Sequence, residues 1–486
     1  MLPPGPDKPL RLRDLGALRR DPLKFLATLR AHGDVAHVVV RGPGFEFVRF
    51  TVVHDPALIK RVLVDDDDCF EKPRALKVMK VILGEGLLTS EGDLHKRQRR
   101  LMQPAFHRDA ILRYAPTMVD CAAQAEARWQ DGMRLDLAHE LMRITLAIAG
   151  KTLFGVDVGG EADEIGAALT TLIDGFPDLL SPLSFVLRHL PTRKNRAMKR
   201  AVARLDETIY HFIHARRAAG ELGDDLLGRL LAAEDEGKPG MTPQQVRDEA
   251  ITLFLAGHET TAVALAWTFY LLAQHPEALA ALHAELDATL AGRLPTADDL
   301  PRLVYTRRAL QEAMRLYPPA FSFGRRVVRD YSLGPYTIPG GRSMLFVCPF
   351  LLHRDARWFP DPLAYRPERW TPEFEASLPR FAYAPFGGGP RVCIGSGFAW
   401  MEGTLALATL LRRFSARLAP GADVHPVPRV TLRPSALPMI LHRRPGSGQA
   451  AAVFGDNCLG GFLQIPRPGV VTEARPKRQN LFLRSP

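Results

Sequence analysis

Residues 386–395 read FGGGPRVCIG and hold one cysteine, Cys393, behind three consecutive glycines and an arginine. With no Cβ at Gly387, Gly388 and Gly389, the loop can take positive φ, lay its backbone against a flat cofactor and aim amides at the sulfur. Arg391, two residues before the cysteine, offers a forked cation to a carboxylate on that cofactor. The bland alternative for a lone cysteine is a buried, inert side chain in a turn.

The decapeptide resembles the haem-binding loop of the cytochrome P450 monooxygenases, F-x-x-G-x-R-x-C-x-G, and every fixed position matches: Phe386, Gly389, Arg391, Cys393 and Gly395. The resemblance implies haem b (iron protoporphyrin IX) with Cys393 as its axial thiolate, donating electron density that favours O–O cleavage. Three further motifs occur in the order this family requires. In ALQEAMRLYPP, residues 309–319, Glu312 and Arg315 lie three apart and share a helical face. Alone that is weak, because surface pairs of this kind are common and contribute little. The stretch YRPERW, residues 365–370, resembles the family's P-E-R-F/W segment, so Arg369 is expected to complete a buried structural cluster of Glu312, Arg315 and Arg369.

The second motif lies in the apolar run ITLFLAGHETTAVALAWTFYLLA, residues 251–273, which is long enough to span a bilayer. His258 and Glu259 fall near its centre, where a carboxylate costs roughly 3 kcal/mol, so a buried helix is the better reading. Thr242 and Pro243 supply its start and Pro276 its stop, leaving about thirty residues, or roughly 45 Å. AGHETT, residues 256–261, resembles the family's oxygen-activating segment. Ala256 and Gly257 leave room for a diatomic molecule beside the helix, and the Thr260 hydroxyl can bond back to the Ala256 carbonyl. Glu259 and Thr260 form an acid and an alcohol side by side, suited to delivering the protons that O–O cleavage consumes.

The third motif is EGDLHKRQRRLMQPAF, residues 91–106. His95 and Arg99 are four apart and can reach one haem propionate together. His95 stands where many members carry Trp. Arg325 matches a further propionate arginine, with Arg326 as the competing candidate. Ala256, Phe386 and Gly395 complete the residues expected against the cofactor. Phe254, Phe321, Phe323 and Leu437 are expected to line an apolar substrate pocket, with ordinary core as their other reading.

At 486 residues and 46% apolar, the chain can bury a large core, and its motifs run from residue 95 to residue 395, so one catalytic domain over 1–442 is expected. Five scattered cysteines without a C-x-x-C favour a reducing compartment and exclude zinc ribbons and disulfide scaffolds. The N-terminus carries prolines and charges in place of an apolar block, so no membrane anchor and a cytoplasmic location are expected. The resemblance implies a mainly α fold with small β-sheets, a triangular helical prism holding haem between the long central helix and the cysteine loop. Residues 443–486 carry seven basic against two acidic side chains and are expected to be a disordered appendage without a nucleic-acid role.

These readings converge on a monomeric monooxygenase that inserts one atom of O2 into an apolar small molecule, a terpenoid first and a fatty acid second. No flavin or iron–sulfur segment follows the loop, so electrons are expected from a separate ferredoxin and ferredoxin reductase or a flavodoxin-type donor. A peroxide-driven hydroxylase is the alternative among enzymes. A haem-thiolate gas sensor or ligand carrier would keep Cys393 without needing Glu259 and Thr260.

Overall fold

Asp21 and Pro22 begin the first helix as their chemistry predicts: Asp21 Oδ1 accepts from Lys24 N at 2.9 Å, and Pro22 opens α1 (Pro22–Arg30). The structure is a computed structural model and describes residues 1–11, 21–42, 45–157, 162–179, 190–220, 223, 225–232 and 241–445. β1 (Val35–Gly42) and β2 (Phe45–Val53) pair antiparallel with Val38 opposite Phe50, and Ala36, Val38 and Val40 point inward. Positions 43 and 44, between the two strands, lie outside the described residues.

Two strands from the far side of the sequence, β3 (Phe323–Val327) and β4 (Ser343–Val347), complete most of this sheet. β4 runs parallel to β2 and antiparallel to β3, while Leu10–Arg11 and Phe70–Glu71 form the two edges. A second sheet joins β5 (Phe414–Leu418) and β6 (Pro438–Arg443) to Arg134–Asp136. Arg444 N then donates to Arg413 O at 2.8 Å, so ordered pairing runs two residues beyond the expected limit of 442. Met1–Ser447 forms one compact unit. The tail expectation falls on residues outside the described ones, apart from 443–445.

The body is helical: α2 (Arg74–Leu83), α3 (Gly92–Met102), α4 (Arg108–Glu126), α5 (Leu137–Leu153), α6 (Ala162–Leu179), α7 (Arg193–Ala218), α8 (Pro243–Gln274), α9 (Pro276–Leu290), α10 (Val304–Leu316) and α11 (Ser396–Leu411). α8 is the axis of the core and packs against α5, α7, α10 and α11. Its start is a capping box, in which Thr242 Oγ1 accepts from Gln245 N while Gln245 Oε1 accepts from Thr242 N. Among the described residues it is the one helix long and apolar enough to cross a membrane, yet 83% of its apolar window is buried inside the protein. Trp267 shows why it belongs in a core. Its indole is fully buried, stacks on Tyr317 with ring centroids 3.9 Å apart and donates to Leu432 O at 2.7 Å. Truncating such a side chain to Ala costs roughly 3–5 kcal/mol.

Candidate active site

The cysteine loop is built by its glycines. Gly387 and Gly389 take φ of +70° and +68°, and a Cβ on Gly389 would stand 1.7 Å from Leu63 O. Cys393 N donates to Phe386 O at 3.0 Å and Val392 N to Gly389 O at 3.0 Å, so the sulfur is presented on a hydrogen-bonded turn at the mouth of α11. Phe386 packs edge-on against Trp400, ring centroids 5.8 Å apart. The Cys393 side chain keeps accessible surface, while its setting deep in the protein raises the thiol pKa through desolvation; the Gly395 amide and Arg99 act in the opposite sense. A thiolate there needs a positive partner.

That charge is abundant. Arg99 donates to Val392 O at 2.8 Å, and Arg391 reaches Phe70 O at 3.2 Å and Glu91 Oε2 at 3.1 Å, with Asp67 Oδ1 3.3 Å away. Arg325 is buried, bonds Gly324 O at 3.0 Å and leaves its Nε without a partner. Burial and Arg391 lower its pKa to about 10. His95 is held neutral, its pKa lowered to about 4 by burial and by the surrounding Lys72, Arg391, Arg99 and Arg325. Lys72 was not legible in the sequence; its ammonium is buried and donates to Leu87 O and Ser90 O. Four cations, Lys72, Arg99, Arg325 and Arg391, thus outnumber the carboxylates near them, Asp67, Glu91 and, beside Lys72, Glu249, whose pKa burial raises to about 8. A surplus of positive charge with an orphaned guanidinium nitrogen fits a group that brings carboxylates of its own, as haem does. Arg326 points elsewhere and pairs with Glu71 at 2.7 Å.

On α8, every residue from Val246 to Phe269 is buried except Ala256, Gly257 and Thr260, which form one open patch. Thr260 Oγ1 donates to Ala256 O at 2.6 Å. Glu259 takes a different direction: it is buried, and its Oε1 accepts from Thr431 Oγ1 at 2.7 Å. Burial raises the Glu259 pKa, which the Thr431 bond opposes. Acid and alcohol are therefore adjacent in sequence but engaged with separate partners. Thr431 has no sequence pattern that could have announced this.

Glu312, Arg315 and Arg369 come together in one buried cluster. Arg315 Nη2 and Arg369 Nε each lie 2.8 Å from Glu312 Oε1, and Trp370 Nε1 donates to Oε2 at 2.9 Å. Glu312 and Arg315 are fully buried, so removing one partner would strand a buried charge at roughly 3–5 kcal/mol.

The pocket residues divide. Phe323 is partly exposed and Phe321 retains a little surface. Phe254 and Leu437 are placed in the core instead of lining open space: Phe254 stacks on Phe154 at 4.2 Å, and Leu437 is fully buried with its backbone tied to Leu137 and Asp136.

Comparison with known proteins agrees with this geometry. The family model described as Cytochrome P450 matches residues 44–441. The chain is 40% identical over 429 residues to cyclooctatin synthase of Streptomyces melanosporofaciens, covering 87% of this chain and 92% of that one. It is 37% identical over 418 residues to pentalenene oxygenase of Streptomyces avermitilis, covering 85% and 91%. The crystal structure of the cytochrome P450DA haem domain superposes with a TM-score of 0.81 at 27% identity, covering 91% of this chain and 98% of that one. With its cysteine loop, its cation-rich surround and these likenesses over most of its length, the chain belongs to the cytochrome P450 family and is a haem-dependent monooxygenase.

Proposed function

We propose that this monooxygenase inserts one oxygen atom from O2 into a terpenoid hydrocarbon or its neutral derivative, on haem b, with electrons from a separate ferredoxin and ferredoxin reductase. The observation that carries the neutral substrate is the fate of the cations just ahead of α3. The candidates for a fatty carboxylate there are Arg74, Lys77 and Lys80 of α2; Lys77 pairs with Glu71 and Lys80 with Glu85, which leaves only Arg74 of the three without a carboxylate partner among the described residues. Pentalenene, which names the relative's substrate, is an alkene with no carboxylate, and the related enzymes act on terpenoids.

Haem, when bound, supplies the oxygen binding and activation. Cys393 would hold it from one side, and His95, Arg99, Arg325 and Arg391 would hold its carboxylates. Ala256 and Gly257 leave space beside α8, the Thr260 hydroxyl positions a proton there, and Glu259 stores one in the adjoining interior. For the donor, a groove of about 470 Å³ lies beside Pro390, lined among others by His95, Lys96, Arg99, Arg100 and His107. Its positive character suits an acidic protein arriving over the thiolate loop.

The test is a paired ligand panel on the purified holoenzyme. Terpene hydrocarbons should shift the haem spectrum and yield alcohols carrying label from isotopic dioxygen when a ferredoxin system is supplied. Long-chain acids that bind far more tightly than their methyl esters, with the preference lost in Arg74→Ala, would overturn the terpenoid reading.

A further inference from the structure

Residues 84–90 cross the N-terminal half of α8 and are fastened there by two carboxylates. Asp248 Oδ2 accepts from Glu85 N at 2.8 Å, and Glu249 Oε2 accepts from Leu87 N at 2.8 Å. From the other side Lys72 Nζ donates to Leu87 O at 2.8 Å and Gln98 Nε2 donates to Glu85 O. The segment folds on itself as well, since Gly86 O accepts from both Thr89 N and Ser90 N at 2.9 Å. Contact with the helix is close. A Cβ at Gly86 would meet Thr252 Oγ1 at 2.3 Å and Asp248 O at 2.6 Å.

Glu249 precedes Ala256 by seven residues and Thr260 by eleven, two and three helical turns, so all three share one face of α8. The segment that Glu249 holds therefore roofs the N-terminal extension of the stripe opened by Ala256 and Thr260. Glu249 is fully buried, its second oxygen has no partner, and burial raises its pKa to about 8 against the opposing effects of the Leu87 amide and Lys72. A buried carboxylate of this kind is costly unless its bond is used. Thr252 Oγ1 and Ser90 Oγ are likewise buried without partners at this contact.

We propose that Glu249 is a positioning residue that latches residues 84–90 down over the pocket through the Leu87 amide, so that small molecules pass this edge only when that bond opens. The proposal rests on reading the Ala256 and Thr260 stripe as the oxidation site.

Two measurements on the holoenzyme separate the latch from the substrate assignment: amide hydrogen exchange at Leu87, which needs no ligand, and stopped-flow binding of phenylimidazole, which enters the pocket whatever the natural substrate is. In the wild type the Leu87 amide should be protected. Glu249→Leu, which removes the acceptor, should speed its exchange by about tenfold and raise both association and dissociation rates of phenylimidazole by about threefold or more, while Glu249→Gln, whose amide oxygen still accepts, should restore both. Rapid Leu87 exchange in the wild type, or unchanged rates in Glu249→Leu, overturns the latch. Should Glu249→Leu fail to hold haem, Gly86→Ala provides the second route, because its methyl group must lift the segment from Thr252; the same changes are expected, and their absence there is equally decisive against the proposal.

Discussion

Thr431 donates a 2.7 Å hydrogen bond to Glu259 from 172 positions away, tying the C-terminal region to the middle of α8 inside the protein. The bond favours the charged carboxylate, while burial favours the neutral acid and dominates. Removing the donor should push the Glu259 pKa higher still. If Glu259 delivers protons in its acid form, Thr431→Val will move the alkaline limb of the turnover profile to higher pH, at a stability cost of about 1 kcal/mol, and Glu259→Gln will slow turnover across the profile. A limb that stays put in Thr431→Val would remove Glu259 from the proton path.

Thr260 makes its own demand. Its hydroxyl is the polar atom on the open patch of α8, back-bonded to Ala256 O at 2.6 Å. Thr260→Ala should still consume reducing equivalents but release most of them as peroxide, because the ordered proton source is gone. The quantity to follow is product formed per reductant consumed. Wild-type coupling in this variant would contradict the relay.

Much of this site was legible because its signals are local. Cys393, Arg391 and the glycines sit within one decapeptide, Thr242 and Pro243 announce the start of α8, and Glu312 with Arg315 follows from helical spacing. Lys72 and Thr431 were not legible, since each acts through a partner brought near only by the folded chain. Phe254 failed for a different reason. It lies two residues before Ala256, about 200° round the helix, so if Ala256 faces the pocket Phe254 must face away, and the structure stacks it on Phe154. Helical phase carried that answer, whereas apolar character alone did not. Leu437 carried no such phase signal, and its burial depends on the pairing of β6 with a strand three hundred residues earlier.

Cys393 offers the most direct check on the cofactor side. Cys393→Ser should lose the strongly red-shifted absorption that the reduced carbonyl complex shows under thiolate ligation. Persistence of that band would mean that a different residue binds the iron. Haem content measured alongside separates a changed ligand from an empty protein.

Lys96 lines the basic groove beside Pro390 and is exposed, pairing only weakly with Asp93 at 3.5 Å. Electrostatic steering toward this face predicts that the association rate of an acidic ferredoxin falls as ionic strength rises. Lys96→Glu should lower that rate several-fold at low salt and leave substrate binding unaltered. Equal association rates for the two proteins at low salt would place the donor elsewhere.

Glu402 of α11 supplies a stability prediction. It is fully buried nine residues after Cys393, and burial pushes its pKa up to about 8, with the Thr261 side chain acting in the opposite sense. Relative to an ordinary carboxyl at 4.5, the folded protein therefore holds a proton that the unfolded chain has released. The sign follows: this contribution is complete below the unfolded value and is lost as pH rises toward the folded one. Buried histidines act oppositely at lower pH, since His353 and His258, with pKa values lowered to about 3 and 4, favour the fold as pH rises toward their ordinary 6.5. The clean window is thus above 6.5. Between there and pH 8 the thermal midpoint of the wild type should fall more steeply than that of Glu402→Gln, which carries a neutral isostere at all pH values. Glu249 titrates in the same range, so the variant should keep part of the slope. Parallel midpoint curves for the two proteins would mean that Glu402 is not protonated in the fold.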